Sequence, residues 1–469
     1  MPANTFDISL TTLTYGGDAL GRLPDDSPRP GLAVFVPCAL PGETVRVSLV
    51  EEKRGHARAE LLEVLTPSPD RVTPRCPHFF SPLSNAAGVG EGLGVGRGSI
   101  AAGVGEGDAA KLRYGVGCGG CHYQHLSYPA QLAAKTAILR DQLERLGGLK
   151  NPPVQPAVPS PGPWNYRNHV QFHLSPQGRL GFEALHSSRV IPIRECHLPE
   201  APINQLWPQL DLEPVPGLER VSLRVGAEED LLLILEGGDP QSLEFVIEEL
   251  PISAVHLSPA GMLVLAGSEA IVMEVGAALS SQGNEVPASG QPRIPRPFHV
   301  SAESFFLVNT LQAGAMVDYL LANLPLTPST TLLDVYCGAG LFSAFLAPRV
   351  GRLIGIESSP SACQDFTINL DEFDNVELYE AAAEQVLPAL ELHPDVILVD
   401  PPSTGLGPPA LDGLLALEAP VLAYVSCDPA TLARDARRLI EGGYHLRQIT
   451  PFDLFPQTYH IESVSIWDR

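Results

Sequence analysis

Two cysteines separated by two glycines lie in the segment GVGCGGCHYQHL at residues 115–126. Glycine leaves the intervening backbone free to turn, so the thiols of Cys118 and Cys121 can face one point. This arrangement suits a redox-active thiol pair, a zinc ion or an iron–sulfur cluster. The sequence around the pair lacks a thioredoxin-like β–α frame, which argues against redox exchange. A metal centre needs further ligands, and the chain contains 8 cysteines in 469 residues.

A third cysteine ends a strand-like run in YVSCDPATLARD at residues 424–435. Cys427 is followed by Asp-Pro, a pattern typical of a helix start. We therefore expect its thiol at the positive end of a helix, where the thiolate form is favoured. A buried, unreactive cysteine is the usual alternative, but a position between a strand and a capped helix favours a reactive group.

A glycine turn follows a buried strand in TLLDVYCGAGLFS at residues 331–343. Gly338 and Gly340 would let backbone amides approach a bound cofactor closely. Ser343 stands where a dinucleotide-binding fingerprint has its third glycine, which argues against NAD. Glu357 ends the next predicted strand, where a carboxylate suits the hydroxyls of a ribose. The alternative is a generic α/β domain with an exposed glutamate.

Two further carboxylates stand beside predicted strand ends. Asp400 lies in DVILVDPPSTGL at residues 395–406, where Pro-Pro makes a stiff turn typical of methyltransferases that act on nucleobases. A methyltransferase that modifies carbon 5 of uracil faces a chemical difficulty, because this carbon attacks the sulfonium methyl of a methyl donor poorly. A thiolate such as that of Cys427, added to carbon 6, makes carbon 5 nucleophilic. A base must then remove the proton from carbon 5. Glu462 in FPQTYHIESVSIWD at 455–468 is a candidate, although a strand carboxylate is often only a surface residue.

The elements that must position these residues fall into three predicted units. The first has about five short alternating strands and suits a small barrel, and the last alternates strands and helices as a parallel α/β sheet does. A Gly-rich tract that contains AAGVGEG twice predicts a flexible insertion between the barrel and the cysteine pair. The predicted boundaries are 1–68 for the barrel, 69–290 for a central α+β domain with the insertion at 81–117, and 291–469 for a Rossmann-like domain.

Charge and hydropathy bound the possible partners. The formal net charge is −24, which at face value argues against a polyanionic partner. Residues 108–200 nevertheless carry 10 Lys and Arg against 6 Asp and Glu, so a local basic region permits contact with nucleic acid. Apolar runs stay below the ~18 residues that cross a membrane, and the first residues do not resemble a secretory signal. We expect a cytoplasmic protein whose cysteines serve as ligands or nucleophiles rather than as disulfides.

Several of these segments resemble the RNA uridine-5-methyltransferase family, namely SCDPATLARD, DPPSTGL, DVYCGAGLFS and FPQTYHIESV. In the N-terminal unit, TYGGDALGRL, FVPCALPGETVRV and SPDRVTPRC resemble a TRAM domain, an oligonucleotide-binding-type barrel. The resemblance implies a class I methyltransferase domain, S-adenosylmethionine as methyl donor and RNA as substrate. It implies that Cys427 is the nucleophile and Glu462 the general base. The implied cofactor-binding residues are Tyr336, Gly338, Gly340, Leu341, Glu357, Asp400 and Leu307.

The chain departs from the family pattern at three positions. Many members have Gln at the position of Leu307, some have Asn at that of Leu341, and Arg usually stands where Ser403 follows the Pro-Pro. The change at Leu307 matters most, because one lost cofactor hydrogen bond costs roughly 0.5–1.5 kcal/mol. The nucleophile and the base are present, so we expect activity.

The ribosomal-RNA branch of the family holds a [4Fe–4S] cluster with C-x5-C-G-G-C and a distant fourth cysteine. The matching ligands here are Cys76, Cys118, Cys121 and Cys196. The first spacing is stretched by the Gly-rich tract, so the cluster requires that the insertion leave its two ends close together. On ligand count alone, four thiolates fit zinc equally well. We expect the cluster, in a structural role.

These observations predict a monomeric enzyme that methylates carbon 5 of a uridine in RNA, with large-subunit ribosomal RNA favoured over transfer RNA. WNYRNHVQFH at residues 164–173 offers rings for stacking and cations for phosphate, although packing in the core explains Trp164 and Phe172 equally well. Two alternatives have other functions. One is an RNA-binding or folding factor that has lost cofactor affinity, and the other is a methyltransferase that acts on a different target, such as a protein side chain.

Overall fold

The computed structural model describes residues 4–79, 117–210, 216–239, 252–278 and 293–469. The predicted Gly-rich insertion, apart from Gly117, lies outside the described residues, and so does the predicted boundary between the central and last units at 290–291. Of the helices in the described ranges, none has the length and hydrophobicity needed to cross a membrane.

The N-terminal unit is a closed five-stranded barrel, as the alternating pattern predicts. The strand order is β1-β2-β3-β5-β4, with every pair antiparallel except β3 and β5. Alternate side chains of β4 are fully buried inside the barrel, which is the period of a half-buried strand. Its strands are β1 (Thr5–Leu13), β2 (Ala19–Arg22), β3 (Ala33–Val36), β4 (Thr44–Glu52) and β5 (His56–Thr66).

The central unit consists of one long helix and a mixed seven-stranded sheet of order β12-β11-β10-β9-β6-β7-β8. The helix packs between the barrel and the last unit, and the two remaining strands, β13 and β14, form a separate antiparallel ribbon. The elements are α1 (Tyr128–Arg145), β6 (His169–Leu174), β7 (Leu180–Glu183), β8 (Val190–Pro192), α2 (Ala201–Leu206), β9 (Leu218–Val225), β10 (Leu231–Gly237), β11 (Ile252–Ser258), β12 (Gly261–Ala266), β13 (Ala270–Ala278) and β14 (Arg293–Ser301).

The last unit is a doubly wound sheet of order β17-β16-β15-β18-β19-β21-β20. The first five strands in this order are parallel, and β21 inserts antiparallel between β19 and β20. That inserted strand distinguishes the sheet from the all-parallel dinucleotide-binding order. Its elements are α3 (Thr310–Asn323), β15 (Thr331–Val335), α4 (Leu341–Leu346), β16 (Arg352–Glu357), α5 (Pro360–Asn369), β17 (Val376–Glu380), α6 (Ala383–Val386), β18 (Val396–Val399), α7 (Pro408–Ala416), β19 (Val421–Ser426), α8 (Pro429–Glu441), β20 (His445–Phe452) and β21 (Glu462–Asp468).

One apolar core joins the three units. It runs from the barrel interior through the buried face of α1 to β15, β18 and the C-terminal strand. The barrel is therefore joined to the parallel sheet through α1. Chain order reverses between β15 and β18, and ligands of such sheets bind outside the carboxyl ends of the strands at this point.

Candidate active site

Four predicted site residues come together at the carboxyl edge of the parallel sheet. Tyr336 follows β15, Glu357 ends β16, Asp400 follows β18 and Cys427 follows β19. Because these strands are parallel neighbours, their carboxyl ends share one edge. Residues that are separated by as much as 91 positions in sequence therefore line a single cleft.

The turn after β15 has the left-handed backbone that its glycines suggest. Its φ angles are 63° at Tyr336, 54° at Gly338 and 86° at Gly340, the residue that precedes α4. A Cβ at Gly340 would overlap the side chain of Leu370, whereas one at Gly338 would meet open space. Gly340 is thus required by both conformation and packing, and Gly338 by conformation alone.

The carboxylate of Glu357 is held in place by backbone amides. Its Oε2 accepts a hydrogen bond from the amide of Gly338 at 3.0 Å, and its Oε1 accepts from those of Ser358 and Ser359 at 2.7 Å each. A carboxylate offers about four lone-pair sites, so acceptor capacity is left for a ligand hydroxyl. The residue is oriented before any cofactor binds.

Asp334, which the sequence reasoning missed, lies in β15, two positions before Tyr336. Its Oδ2 accepts from the hydroxyl of Ser343 at 2.6 Å, and its Oδ1 is buried without a hydrogen-bond partner in the described structure. Burial raises the pKa of Asp334 to about 7, and burial likewise raises the pKa of Asp400 to about 7. A carboxylate inside an otherwise apolar strand was the signal that could have revealed it.

Leu307 and Leu341 are both buried in the apolar cluster that surrounds the glycine turn. The side chain of Leu307 offers no hydrogen bond, and its backbone carbonyl accepts from Nδ2 of Asn168 at 3.0 Å. Ser403 acts through its backbone as well, since its carbonyl accepts from the hydroxyl of Thr431 at 3.0 Å. These are the three positions at which the chain departs from the family pattern. The side chains of Leu307 and Leu341 pack in the apolar cluster, and Leu307 and Ser403 each accept a hydrogen bond through the backbone carbonyl.

Cys427 and Glu462 are neighbours across two antiparallel strands. Ser426 of β19 pairs with Ser463 of β21, which puts the next residue of one strand beside the preceding residue of the other. Glu462 is 4% exposed, and burial, followed by the charge of Asp400, raises its pKa well above the ordinary range.

The expected thiolate character of Cys427 is wrong for the free protein. The thiol lies directly before α8, as predicted, and Asp428 caps that helix by accepting from the amides of Ala430 and Thr431. However, burial and the nearby carboxyl groups of Glu462 and Asp400 raise the pKa of Cys427 to about 12. These effects outweigh the helix end, so the thiol is neutral near pH 7.

The barrel contributes a side chain to this edge. The hydroxyl of Tyr15 donates a hydrogen bond to Oδ2 of Asp428 at 2.9 Å, next to the candidate nucleophile. The Tyr15 ring packs edge-on against Tyr459, with centroids 5.5 Å apart. Sequence patterns could not show this contact, because 413 positions separate the two hydrogen-bonded residues.

The four candidate ligand cysteines line one cavity of about 230 Å³. The amide of Cys118 donates to the carbonyl of His78 at 2.8 Å, and the amide of Cys76 donates to Oε1 of Gln124 at 3.0 Å. The two ends of the Gly-rich insertion are therefore close together. In the described ranges, no group of three or more Cys, His, Asp or Glu side chains is arranged to hold a single metal ion.

The proposed RNA-contact segment divides between core and surface. Phe172 is fully buried and packs against Phe182 and Trp207, so of its two interpretations the structure supports core packing. Trp164 is partly exposed, and the guanidinium of Arg75 lies 5.5 Å from its ring centroid. Only Trp164 of these two rings remains available to a base.

Known proteins resemble the chain along its length. Residues 296–469 match tRNA (Uracil-5-)-methyltransferase, and residues 1–62 match the TRAM domain. A protein of Halalkalibacterium halodurans named as an RNA methyltransferase is 31% identical over 98% of this chain and 96% of its own length. One from Aquifex aeolicus is 31% identical over 98% and 97%.

A solved structure has the same fold. The structure of Pyrococcus abyssi tRNA (uracil-54, C5)-methyltransferase in complex with S-adenosyl-L-homocysteine aligns with a TM-score of 0.63. It covers 98% of this chain and 100% of its own, at 21% sequence identity. At that identity, the likeness is evidence for the architecture alone.

Proposed function

The chain belongs to the RNA uracil-5-methyltransferase family, which is S-adenosylmethionine-dependent, and from this premise we propose that it methylates carbon 5 of a uridine through a covalent bond to Cys427. The single observation that carries the proposal is the pairing of β19 with β21. This pairing brings Cys427 beside Glu462 at the carboxyl edge of the sheet, the same edge as the glycine turn after β15. Nucleophile, base and turn are the three parts that the reaction requires.

The protein's own groups act in a fixed order in this proposal. The thiol of Cys427 releases its proton to solvent, and the thiolate adds to carbon 6 of the uracil, which moves electron density to carbon 5. Bound S-adenosylmethionine would supply the methyl group to carbon 5, with its sulfur taking the electron pair of the broken bond. Glu462 in its ionised form then takes the proton from carbon 5. The electrons of that bond restore the ring double bond and expel the thiolate of Cys427.

The residues of the turn suit a cationic cofactor. The carboxyl group of Asp334 is buried and has one oxygen without a hydrogen-bond partner in the described structure, and the half-buried Asp400 lies near it. A sulfonium cation near these groups would offset the cost of ionising them and would also favour the thiolate of Cys427. We assign Tyr336, Glu357 and Asp400 to cofactor binding, with Gly338, Gly340, Leu341 and Leu307 forming the surrounding turn and its apolar wall.

A covalent trap tests the mechanism. With RNA that carries 5-fluorouridine, carbon 5 has no proton to lose, so the protein–RNA bond should persist on a denaturing gel. Wild-type protein with S-adenosylmethionine should form this species, and Cys427→Ala should not. A Cys427→Ala variant that still methylates would redirect the proposal to another target. Titration with S-adenosylmethionine that gives no heat at millimolar concentration would favour an RNA-binding factor instead.

We further propose that Cys76, Cys118, Cys121 and Cys196 hold a [4Fe–4S] cluster. Support comes from the donor set and from the cavity that all four thiols line. Zinc is the second candidate, because four thiolates fit either metal centre on ligand count alone. The cluster would stabilise the fold. Absorbance near 400 nm in anaerobically purified protein, with iron and zinc analysis, distinguishes the two.

Large-subunit ribosomal RNA is the substrate that we favour, because the four-cysteine pattern is that of the ribosomal-RNA branch. Transfer RNA is the second candidate, since the matching family description and the Pyrococcus abyssi protein both refer to tRNA. Mass-spectrometric mapping of 5-methyluridine in RNA from cells that lack the protein tests both. Loss of the modified base from ribosomal RNA alone is the expected result.

A further inference from the structure

The loop that leads into Glu462 contains residues 453–461, between β20 and β21. It has no helix or strand of its own, and yet Asp453, Gln457 and Thr458 are each at most 3% exposed. Because Glu462 is the first residue of β21, the path of the loop affects the position of the Glu462 carboxyl group. The contacts that hold the loop therefore bear on the proposed base.

A reciprocal pair of glutamines fixes the middle of the loop. Oε1 of Gln131 in α1 accepts from the amide of Gln457, and Nε2 of Gln131 donates to Oε1 of Gln457, both at 3.0 Å. Both side chains are buried. Gln457 has a φ of 69°, a left-handed conformation that is costly for a residue with a side chain. The surrounding contacts must compensate for that cost.

The cysteine segment holds the same loop. The amides of His122 and Tyr123, which directly follow Cys121, both donate to the carbonyl of Gln457, at 2.9 and 3.0 Å. The buried hydroxyl of Tyr166 donates to the carbonyl of Pro456 at 3.0 Å. Both anchors are joined directly to the four-cysteine cavity, because Cys121 and Arg167 are among its lining residues.

A buried ion pair completes the attachment. Nζ of Lys135, one helical turn after Gln131, bonds Oδ1 of Asp453 at 2.6 Å and the carbonyl of Phe455 at 3.0 Å. Helix α1 and the cysteine segment thus hold the loop at Asp453, Phe455 and Gln457, and Leu454 packs in the apolar cluster beside the parallel sheet.

We propose that the four-cysteine segment positions the catalytic base, with Gln131 and Gln457 as positioning residues that act through the loop on Glu462. Loosening the cysteine segment would release the carbonyl of Gln457 and let the loop, and with it Glu462, move away from carbon 5. Removal of the proton from carbon 5 would slow. The affinity for the cofactor, which binds at the other strands, would not change. This inference rests on the proposed role of Glu462.

The test compares three variants of the full-length protein on unmodified substrate RNA. Glu462→Gln removes the base and should accumulate a methylated protein–RNA adduct on denaturing gels. Gln131→Met keeps the side chain's length without its hydrogen bonds, and it should accumulate the same adduct. Its turnover should fall about 10- to 100-fold, because small misplacements of a reacting group have effects of this size. Its affinity for S-adenosylmethionine should stay within about twofold.

Gln142→Met is the matched control. Gln142 is a buried glutamine on the same helix, its side chain bonds only the adjacent Asp141, and it does not touch the loop. This variant should neither slow turnover nor accumulate adduct. Gln457→Gly is the second test, since glycine accepts the left-handed backbone, keeps the amide bond to Gln131 and both bonds to the carbonyl, and loses only the bond between the two side chains. It should show a smaller accumulation than Gln131→Met, and it remains informative if Gln131→Met does not fold.

Hydrogen exchange tests the link to the cysteines without an activity assay. In a Cys121→Ser variant, amides of residues 453–461 should exchange at least tenfold faster than in the wild type, while those of β15 and β16 should not change. Unchanged exchange in the loop, or Gln131→Met with slow methyl transfer and no adduct, overturns the inference. Absence of the adduct in Glu462→Gln as well would instead refute the proposed function.

Discussion

We predict that two carboxyl groups, the buried Asp334 and the half-buried Asp400, make cofactor binding depend on pH. The pKa values of Asp334 and Asp400 are both raised to about 7, so both groups are neutral at pH 5.5 and mostly ionised at pH 8. S-adenosylmethionine carries a sulfonium cation, which S-adenosylhomocysteine lacks. Raising the pH should therefore tighten binding of the methyl donor and leave the product nearly unaffected.

The size of the effect follows from the two pKa values. A group of pKa 7 is ionised to roughly 3% at pH 5.5 and to roughly 90% at pH 8, which is a factor of about 30, or about 2 kcal/mol. Each carboxyl group that must ionise for the cation to bind contributes a factor of this size. We thus expect the ratio of the two ligands' affinities to rise at least 30-fold over this range.

The same pKa values set the sign of the pH dependence of stability. Both folded-state values lie above the ordinary 3.8, so the contribution to stability is present below about pH 4 and is lost as the pH rises through 7. The loss is on the order of 4 kcal/mol for each group in the unliganded protein. Bound S-adenosylmethionine should therefore raise the melting temperature more at pH 8 than at pH 5.5.

Calorimetric titration of both ligands at several pH values is the assay. Asp400→Asn removes one of the two groups and should reduce the pH dependence of the affinity ratio. Asp371→Asn, at an exposed carboxylate of the same domain, is the matched control and should leave the ratio as in the wild type. An affinity ratio that stays constant from pH 5.5 to pH 8 would refute the reasoning, because the cation would then not be near these groups.

Four further predictions concern single side chains. Cys427→Ala should abolish methyl transfer while leaving the dissociation constant of S-adenosylmethionine unchanged, as calorimetry would show. Tyr15→Phe removes the barrel's hydrogen bond to a carboxylate beside the nucleophile, and since such bonds contribute about 1.5–3 kcal/mol, kcat/KM should fall roughly tenfold or more; Tyr379→Phe, at an exposed ring, is its control. Gly340→Ala should lower the melting temperature more than Gly338→Ala, because only the former adds a steric overlap to the unfavourable φ. Leu307→Gln should tighten cofactor binding about 2- to 10-fold by restoring one hydrogen bond; equal or weaker binding would mean that its side chain does not face the cofactor.

Local sequence was sufficient for the barrel and the parallel sheet, and it also supplied the candidate site positions. Alternation of period two predicts the barrel strands, and the turn residues after β15 predict the left-handed backbone that the structure contains. Cys427 and Glu462 were recognisable because each belongs to a short motif at a strand end. Parallel strands bring the ends of β15, β16, β18 and β19 to one edge, whereas Glu462 reaches it because β21 is antiparallel.

Other features depend on contacts between distant parts of the chain. The pKa of Cys427 was predicted in the wrong direction, because a helix start is visible in sequence, whereas burial beside two carboxyl groups is not. The hydrogen bond from Tyr15 to Asp428 and the hydrogen bonds between Gln131 and Gln457 join residues that are more than 300 positions apart. Motifs record which groups are present, but desolvation and through-space charge depend on three-dimensional neighbours, so only the tertiary structure could decide the protonation of this site and the support of its base.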